Sequence, residues 1–521
     1  MVMRNKFTFI PVSIIAAVIL SSCTANYLEY NTNPETATDE QMQYENYFSQ
    51  GALRTLQGCI ISNEEHHFQF AELLLGGNLG GYFAEQKTFA GTFATFDASD
   101  GWNSSVFNNV LPAVFGAYTL LSSSESVDEV TMAVADICRV AAVARVSDQY
   151  GPIPYSQVGA NGSLVASYDT VEELYTTFLA QLTASINTLT ENQGSKIKST
   201  SDICFGGDVV KWIKYANSLK LRYAMRIVYA DPEKARAAAE EVAAHPIGAL
   251  SSNSDNPTYQ HPTRNLHYFA MHMWGDHRAA ADIVCYMNGF KDPRRDKYFT
   301  VSEFGGYVGW RRGVDPADAP LGNKCSNMNV TAETPMRWFV AAETAFLKAE
   351  GALRGWDMGG NARDFYNEGV RLSFDQFGLA DKADTYLSDV TSKPESYKDP
   401  SGLGLNGSFD TSITPAWSEA ASFEEKLERI ITQKWIANFF VEGMEAWSEF
   451  RRTGYPRLLP SAQNNSGGVI GEGEFARRAI YPSNEKSGNA ENYYEALNKD
   501  LGGNDDMASR LWWDCNPNTI K

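Results

Sequence analysis

The residues able to do chemistry are numerous in this chain but poorly arranged for catalysis. His261, His267, His272 and His277 place four of seven histidines in one stretch, HPTRNLHYFAMHMWGDH, which invites a metal reading. Their separations are 6, 5 and 5, so no two share the i, i+4 spacing of a helical zinc site, and no H-E-x-x-H occurs; loop packing and hydrogen bonding account for them better. Glu343 and Glu350 lie two turns apart on one helical face, and paired carboxylates are the tools of glycoside hydrolysis. Phe346 and Ala349 share that face, so the two acids read as buried partners of Arg or Lys. Asn504, Asp505 and Asp506 lack the glycine-spaced pattern of a calcium loop and read as turn acids. Gly402, Gly404 and Gly407 match G-x-G-x-x-G without a preceding strand or following helix. No G-x-S-x-G elbow, Walker loop or local Cys/His signature is present. No catalytic residue, metal or cofactor is therefore expected.

Cys23 is the one residue with a chemical context of its own. Arg4 and Lys6 precede an uncharged apolar run, Phe7 to Leu20, and small residues lead directly to the cysteine. Residues 1–22 thus read as a signal peptide, and Leu20-Ser21-Ser22-Cys23 looks like a lipobox, whose thiol takes a diacylglycerol. The apolar run has 14 residues, short of the roughly 20 needed to span a bilayer. A lipid anchor is the expected membrane attachment. Loss of residues 1–22 removes two basic groups and no acid, taking the net charge from −19 to −19 − 2 = −21, a poor surface for nucleic acid. The other six cysteines are scattered and without metal spacing, which favours free thiols over a disulfide frame.

The elements that position these residues are mainly α-helical. Residues 23–40 are polar and aperiodic, suiting a tether, and periodic helices begin near Gln41. Apolar residues recur at helical spacing in consecutive pairs over 107–147, 171–229, 335–377 and 423–453. Helix pairs of this kind stack and bury a shared stripe, although the spacing is irregular and the tetratricopeptide consensus is not literally present. The body, 41–521, is thus predicted as degenerate tetratricopeptide-like helix pairs. Insertions at 76–106, 245–330, 378–420 and 455–510 lack a helical period. Loops this long are functional or disordered. Phe83, Phe89, Phe93, Phe96 and Trp102 need apolar surroundings, which predicts ordered lobes forming a ligand face.

Several segments resemble the SusD/RagB family of nutrient-uptake outer-membrane lipoproteins, its SusD-like branch above all. They are RVSDQYGPIPYSQV (145–158), GGDVVKWIKYANSLKLRYAMRI (206–227), FVAAETAFLKAEGALRGW (339–356), EEKLERIITQKWIANFFVEGMEAWSEFRRTGYPRL (424–458), FARRAIYPSNE (475–485) and GGNDDMASRLWWD (502–514). The resemblance implies a non-enzymatic lipoprotein at the outer membrane, facing the cell exterior. It would bind an oligosaccharide or another nutrient and pass it to a SusC-like TonB-dependent transporter. A peptide ligand, or a helical scaffold with no small ligand, are the alternatives. Sugars are gripped by flat rings that cover their C–H faces while polar groups bond the hydroxyls. In the loops where the family's glycan binders place such rings, this chain carries Trp102, Trp274, Tyr307 and Trp310, with Tyr268 as a weaker fifth. Asn103, Asp276, Arg311 and Arg312 are the expected polar neighbours.

Overall fold

The computed structural model describes residues 47–519 apart from 88, 160–164, 316, 318 and 319. The chain divides into two units, Met1–Ser49 and Gln50–Lys521. The signal peptide, Cys23 and the tether lie outside the described residues, and only 47–49 of the first unit are described, as the start of helix α1 (Tyr47–Gly58).

The second unit is a helical array. Its long helices are α3 (Leu111–Ser122), α4 (Glu129–Tyr150), α5 (Val171–Glu191), α6 (Val209–Arg226), α7 (Pro232–Ala244), α9 (Ala341–Leu353), α10 (Ala362–Asp375), α11 (Phe423–Ala437) and α12 (Gly443–Thr453). They start where their sequences supply caps. Thr170 and Glu173 form a reciprocal capping box at α5, and Ser422 and Glu425 do the same at α11. Packing runs α3 on α4, α4 on α5, α5 on α6 and α6 on α7, with α9 against α10 and α11. The predicted pairs are present, but the last is not a hairpin packed on itself. α11 lies against α9 and α10, whereas α12 packs against α2, which begins as Glu65–Phe68 and continues as a π-helix, Gln69–Gly77. Among the described residues, no helix is long and apolar enough to cross a membrane.

Three helices escape the periodic reading. The buried face of α7 is Ala235, Ala238, Ala239 and Val242, correctly spaced but made almost wholly of alanine. The 455–510 insertion holds α13 (Ala490–Asp500), which buries only Tyr493, Ala496 and Leu497. The 245–330 insertion likewise contains α8 (Ala281–Gly289). Among the described residues there are three antiparallel two-stranded sheets: β1 (Phe83–Glu85) with β5 (His277–Ala279) and β4 (Thr258–Tyr259) with β6 (Met336–Arg337), which tie the insertions down, and β2 (Ile153–Pro154) with β3 (Tyr168–Asp169) between α4 and α5.

At the centre of the array the core is ionic. Arg222 of α6 grips Glu343 of α9 through Nε at 2.8 Å and Nη2 at 2.7 Å. Lys434 of α11 reaches Glu343, Glu445 and Glu449 at 3.3, 2.8 and 3.3 Å. Arg452 of α12 donates to both oxygens of Glu350 at 2.7 Å. Glu343 and Glu350 are fully buried and each is held by cations, so neither can reach a glycan bond. Burial alone pushes the Glu445 and Glu449 carboxyls up, but Arg226 and Lys434 around the first, and Arg452 and Lys434 around the second, outweigh it and hold both well below the usual range. All six remaining cysteines are free; burial pushes the Cys59 and Cys325 thiols up to about 12.

Candidate functional site

The start of α2 organises the candidate site. Glu64 caps it, accepting from the His67 backbone N–H at 2.8 Å and contacting His66 Nδ1 at 2.9 Å. His66 and Phe70, four residues apart, rise on one helical face. To one side, the Phe70 ring centroid lies 5.6 Å from that of Trp102, which also meets Phe89 at 5.0 Å and Phe93 at 5.7 Å. To the other, His66 lies 5.1 Å from Trp274, which stands edge-on to Phe269 at 4.4 Å. One helix therefore brings Trp102 and Trp274, 172 residues apart in sequence, onto a common surface.

The β1–β5 pairing fixes that surface. It sets the loop after β1 beside the turn before β5, and Asp276 bolts them together. Its carbonyl accepts from Gln86 N at 2.6 Å, its carboxylate from Gln69 Nε2 at 2.6 Å, and Lys87 Nζ stands 2.9 Å from its other oxygen. Trp274 ends a π-helical segment, Phe269–Trp274, closed by Gly275 at φ +71°, a left-handed turn that glycine takes freely. π-Helical turns concentrate at functional sites, and here both Trp-bearing clusters rest on one.

Trp102, Trp274 and Tyr268 are half-buried. Tyr268 stacks on His272 at 5.4 Å, and exposed Met273 extends the patch. Tyr307 is placed apart from them. It is half-buried, donates to Asp296 at 2.9 Å, and lines a separate cavity of about 360 Å³.

Trp310 is a correction. It is fully buried, its indole packed with Ala84, Val314 and Cys325. Its backbone bridges Ala280, which turns the ring inward, and Gly322 leaves it room: a Cβ there would fall 2.7 Å from the ring. Trp310 cannot stack on a ligand. The polar neighbours read from sequence are buried as well. Asn103 donates to the Ala98 and Ser99 carbonyls, Asp276 is the bolt just described, and Arg312 pairs with Asp282 at 2.9 Å. Arg311 is also buried, at 8% exposure.

Sequence reasoning missed His66, Phe70 and Lys87, and had Phe89 only as a ring in need of apolar surroundings. The His66/Phe70 spacing was the available signal, hidden because it becomes meaningful only once the two distant tryptophans flank it. It also missed Glu85, which shares with Lys87, Phe89, Thr92 and Asn465 the wall of a polar cavity of about 60 Å³ beside the Trp102 cluster. Burial pushes the Glu85 carboxyl up to about 7, against the opposing effects of an Asn78 hydrogen bond at 2.5 Å and of Arg312.

The histidine stretch disperses. His261 contacts the Asn63 carbonyl at 3.0 Å and His272 that of Met328 at 2.8 Å, while burial pushes His267 down to about 3 and His277 to about 4. Among the described residues no group of three or more His, Cys, Asp or Glu is arranged to hold a metal ion. Asp505 accepts from Arg478 at 2.8 Å and Tyr493 at 2.9 Å, and Asp506 from Ser509 N at 2.8 Å, so these acids have protein partners.

Residues 29–514 match the family model described as SusD-like, Susd and RagB outer membrane lipoprotein. No protein with a curated record matches the chain. Among solved structures the chain is similar to a SusD homolog from Bacteroides uniformis, with 42% identity and a TM-score of 0.85 over 90% of this chain and 99% of that one. It is similar to another from Bacteroides ovatus, at 37% identity and a TM-score of 0.86 over 91% and 100%. A chitin-binding SusD homolog from Flavobacterium johnsoniae is 34% identical, with a TM-score of 0.85 over 90% and 99%.

Proposed function

The chain belongs to the SusD-like family of outer-membrane lipoproteins, and from that premise we propose that it captures an oligosaccharide without catalysis and hands it to a SusC-like TonB-dependent transporter. Cys23 would carry the lipid, leaving the folded body outside the cell. The observation that carries this reading is the surface built by His66 and Phe70, with Trp274 on one side and Trp102 on the other. Such rings offer a sugar's C–H face an apolar partner, and Tyr268 extends the platform. Lys87, with 55% of its side chain exposed, and the polar cavity behind Phe89 supply groups for hydroxyls. Tyr307, on its separate cavity, would serve a more distant part of a longer chain.

Calorimetric titration of the purified protein with a polysaccharide panel tests this, with chito-oligosaccharides tried first because of the chitin-binding relative. The expected result is binding to one class, weakened about tenfold or more by Trp102→Ala or Trp274→Ala, as loss of a stacked ring worth about 1.5 kcal/mol requires. Unchanged affinity in both variants would remove the aromatic surface from the proposal and favour a scaffold role.

A further inference from the structure

His66 brings more than a flat ring to the candidate site. Its Nδ1 stands 2.9 Å from Oε1 of Glu64, and 63% of its side chain is exposed. The other Glu64 oxygen accepts from the His67 backbone N–H at 2.8 Å and stands 3.2 Å from His67 Nδ1. Burial pushes the Glu64 carboxyl up, but hydrogen bonds from His67 and His66 outweigh it and hold the group below its usual range. A carboxylate only accepts, so the proton of the neutral His66 imidazole sits on Nδ1. Nε2 is thereby left as a bare acceptor, and it has no partner among the described residues.

Next to that acceptor the surface is apolar. The imidazole centroid lies 5.1 Å from that of Trp274 with the two planes tilted by 43°, so the rings are neighbours without being stacked flat. Trp274 stands edge-on to Phe269 at 4.4 Å, and Met273, immediately before it in sequence, is 51% exposed. Arg264 holds the last two in place. Its Cζ lies 5.0 Å from the Phe269 ring centroid and its Nη1 2.9 Å from Met273 Sδ. A fixed acceptor and an exposed thioether therefore belong to one patch around Trp274.

That combination matches an acetamido group. Its N–H only donates and is best met by an atom that only accepts, while its methyl gains by leaving water. A hydroxyl in the same place both donates and accepts and carries no methyl, so it draws less from either feature. We propose that the Trp274 half of the surface is a subsite for an N-acetylated hexosamine, with Nε2 of His66 accepting from the acetamido N–H and the methyl lying on Met273. Glu64 is a positioning residue: it holds the tautomer and orientation of the imidazole. The proposal rests on the oligosaccharide reading and names the class of sugar which that surface selects.

Calorimetric titration of the purified chain at pH 8 with chitohexaose and cellohexaose tests this, because the two share a backbone linkage and differ in an acetamido against a hydroxyl group on each ring. Chitohexaose is expected to bind about tenfold more tightly. His66→Phe, which keeps a ring beside Trp274 and deletes the acceptor, should bring the two affinities within about threefold of each other. His66→Gln, whose amide oxygen is an acceptor on a side chain of similar reach, should restore part of the difference. Nitrogen NMR of the imidazole reads the part of Glu64 without any ligand: Nδ1 is protonated in the native chain, and the other tautomer gains in Glu64→Gln, with a severalfold loss of chitohexaose affinity. Trp274→Ala should weaken both oligosaccharides. Equal affinity for the two in the native chain, or binding confined to glycans without N-acetyl groups, would overturn the subsite and spare the aromatic surface. A preference that survives His66→Phe intact would overturn the assignment of the acceptor, and a native imidazole protonated on Nε2 would overturn the role of Glu64. Binding of no glycan at all would overturn the oligosaccharide reading and the subsite with it.

Discussion

Two tryptophans with similar sequence surroundings have opposite fates, and mutation should separate them. Trp274 ends a π-turn and is half-buried, whereas Trp310 is sealed behind Gly322. Trp310→Ala should cost about 3–5 kcal/mol in chemical denaturation, the range for emptying a large aromatic site. Trp274→Ala should cost a small fraction of that. Nothing local distinguishes them beforehand, because both sit in aperiodic, Gly-rich stretches where side-chain direction is decided by a distant strand or bridge. Glu85 is a sharper case. Its folded-state carboxyl is raised to about 7, from 4.5, so its contribution to stability is fully present below pH 4.5 and is lost as pH rises through 7. Glu85→Gln should therefore stabilise the protein at pH 8, by up to about 3 kcal/mol, and have almost no effect at pH 4; thermal midpoints of both proteins at the two pH values decide it.

At the level of elements, what could be read in advance was what repeats locally. The four helix pairs announced themselves through leucine, isoleucine and phenylalanine at 3.6-residue spacing, while α7 stayed hidden behind alanine. The pairing of α12 with α2 could not be foreseen, since it depends on two glycine-bearing backbones meeting across more than 360 residues. A Cβ on Gly443 would lie 2.1 Å from the Glu72 carbonyl oxygen, and one on Gly76 would lie 2.4 Å from Met444 N. The Glu72 carboxylate accepts from the Gly443 and Met444 N–H groups at 3.0 and 3.3 Å, where the helix dipole favours an anion. Gly443→Ala must push these backbones apart. It should lower stability by more than 1 kcal/mol, the exposed-helix glycine-to-alanine gain being reversed in sign, as a urea titration would reveal.

Over the whole molecule, the segments that carry the family resemblance coincide with the buried ionic core. Arg222 and Arg226 come from 206–227, Glu343 and Glu350 from 339–356, and Lys434, Glu445, Glu449 and Arg452 from 424–458. The family was legible for that reason: a buried charge tolerates few replacements, since removing one partner strands the other at a cost of about 3–5 kcal/mol. The ring-bearing surface is assembled from segments far apart in sequence instead, so its members were only partly legible. The core also sets the acid limit. Glu445 and Glu449 titrate below their unfolded value of 4.5, so their contribution is present above that pH and lost as pH falls through the depressed folded values. The thermal midpoint should be level between pH 5 and 6 as far as these groups determine it and fall steeply below pH 4.

The bolt at Asp276 has a practical corollary for engineering. The stretches 86–102 and 266–276 are held to the scaffold by the three-residue strand pairing, by this carboxylate, and by side chains of other segments that donate to their backbones, Ser461 to the Ala94 carbonyl at 2.6 Å and Asn327 to that of Met271 at 2.9 Å, without contributing to the ionic core. A transplant of this surface into another frame must therefore carry Ser461 and Asn327 with the two stretches, or it arrives without two of the struts that hold it in register.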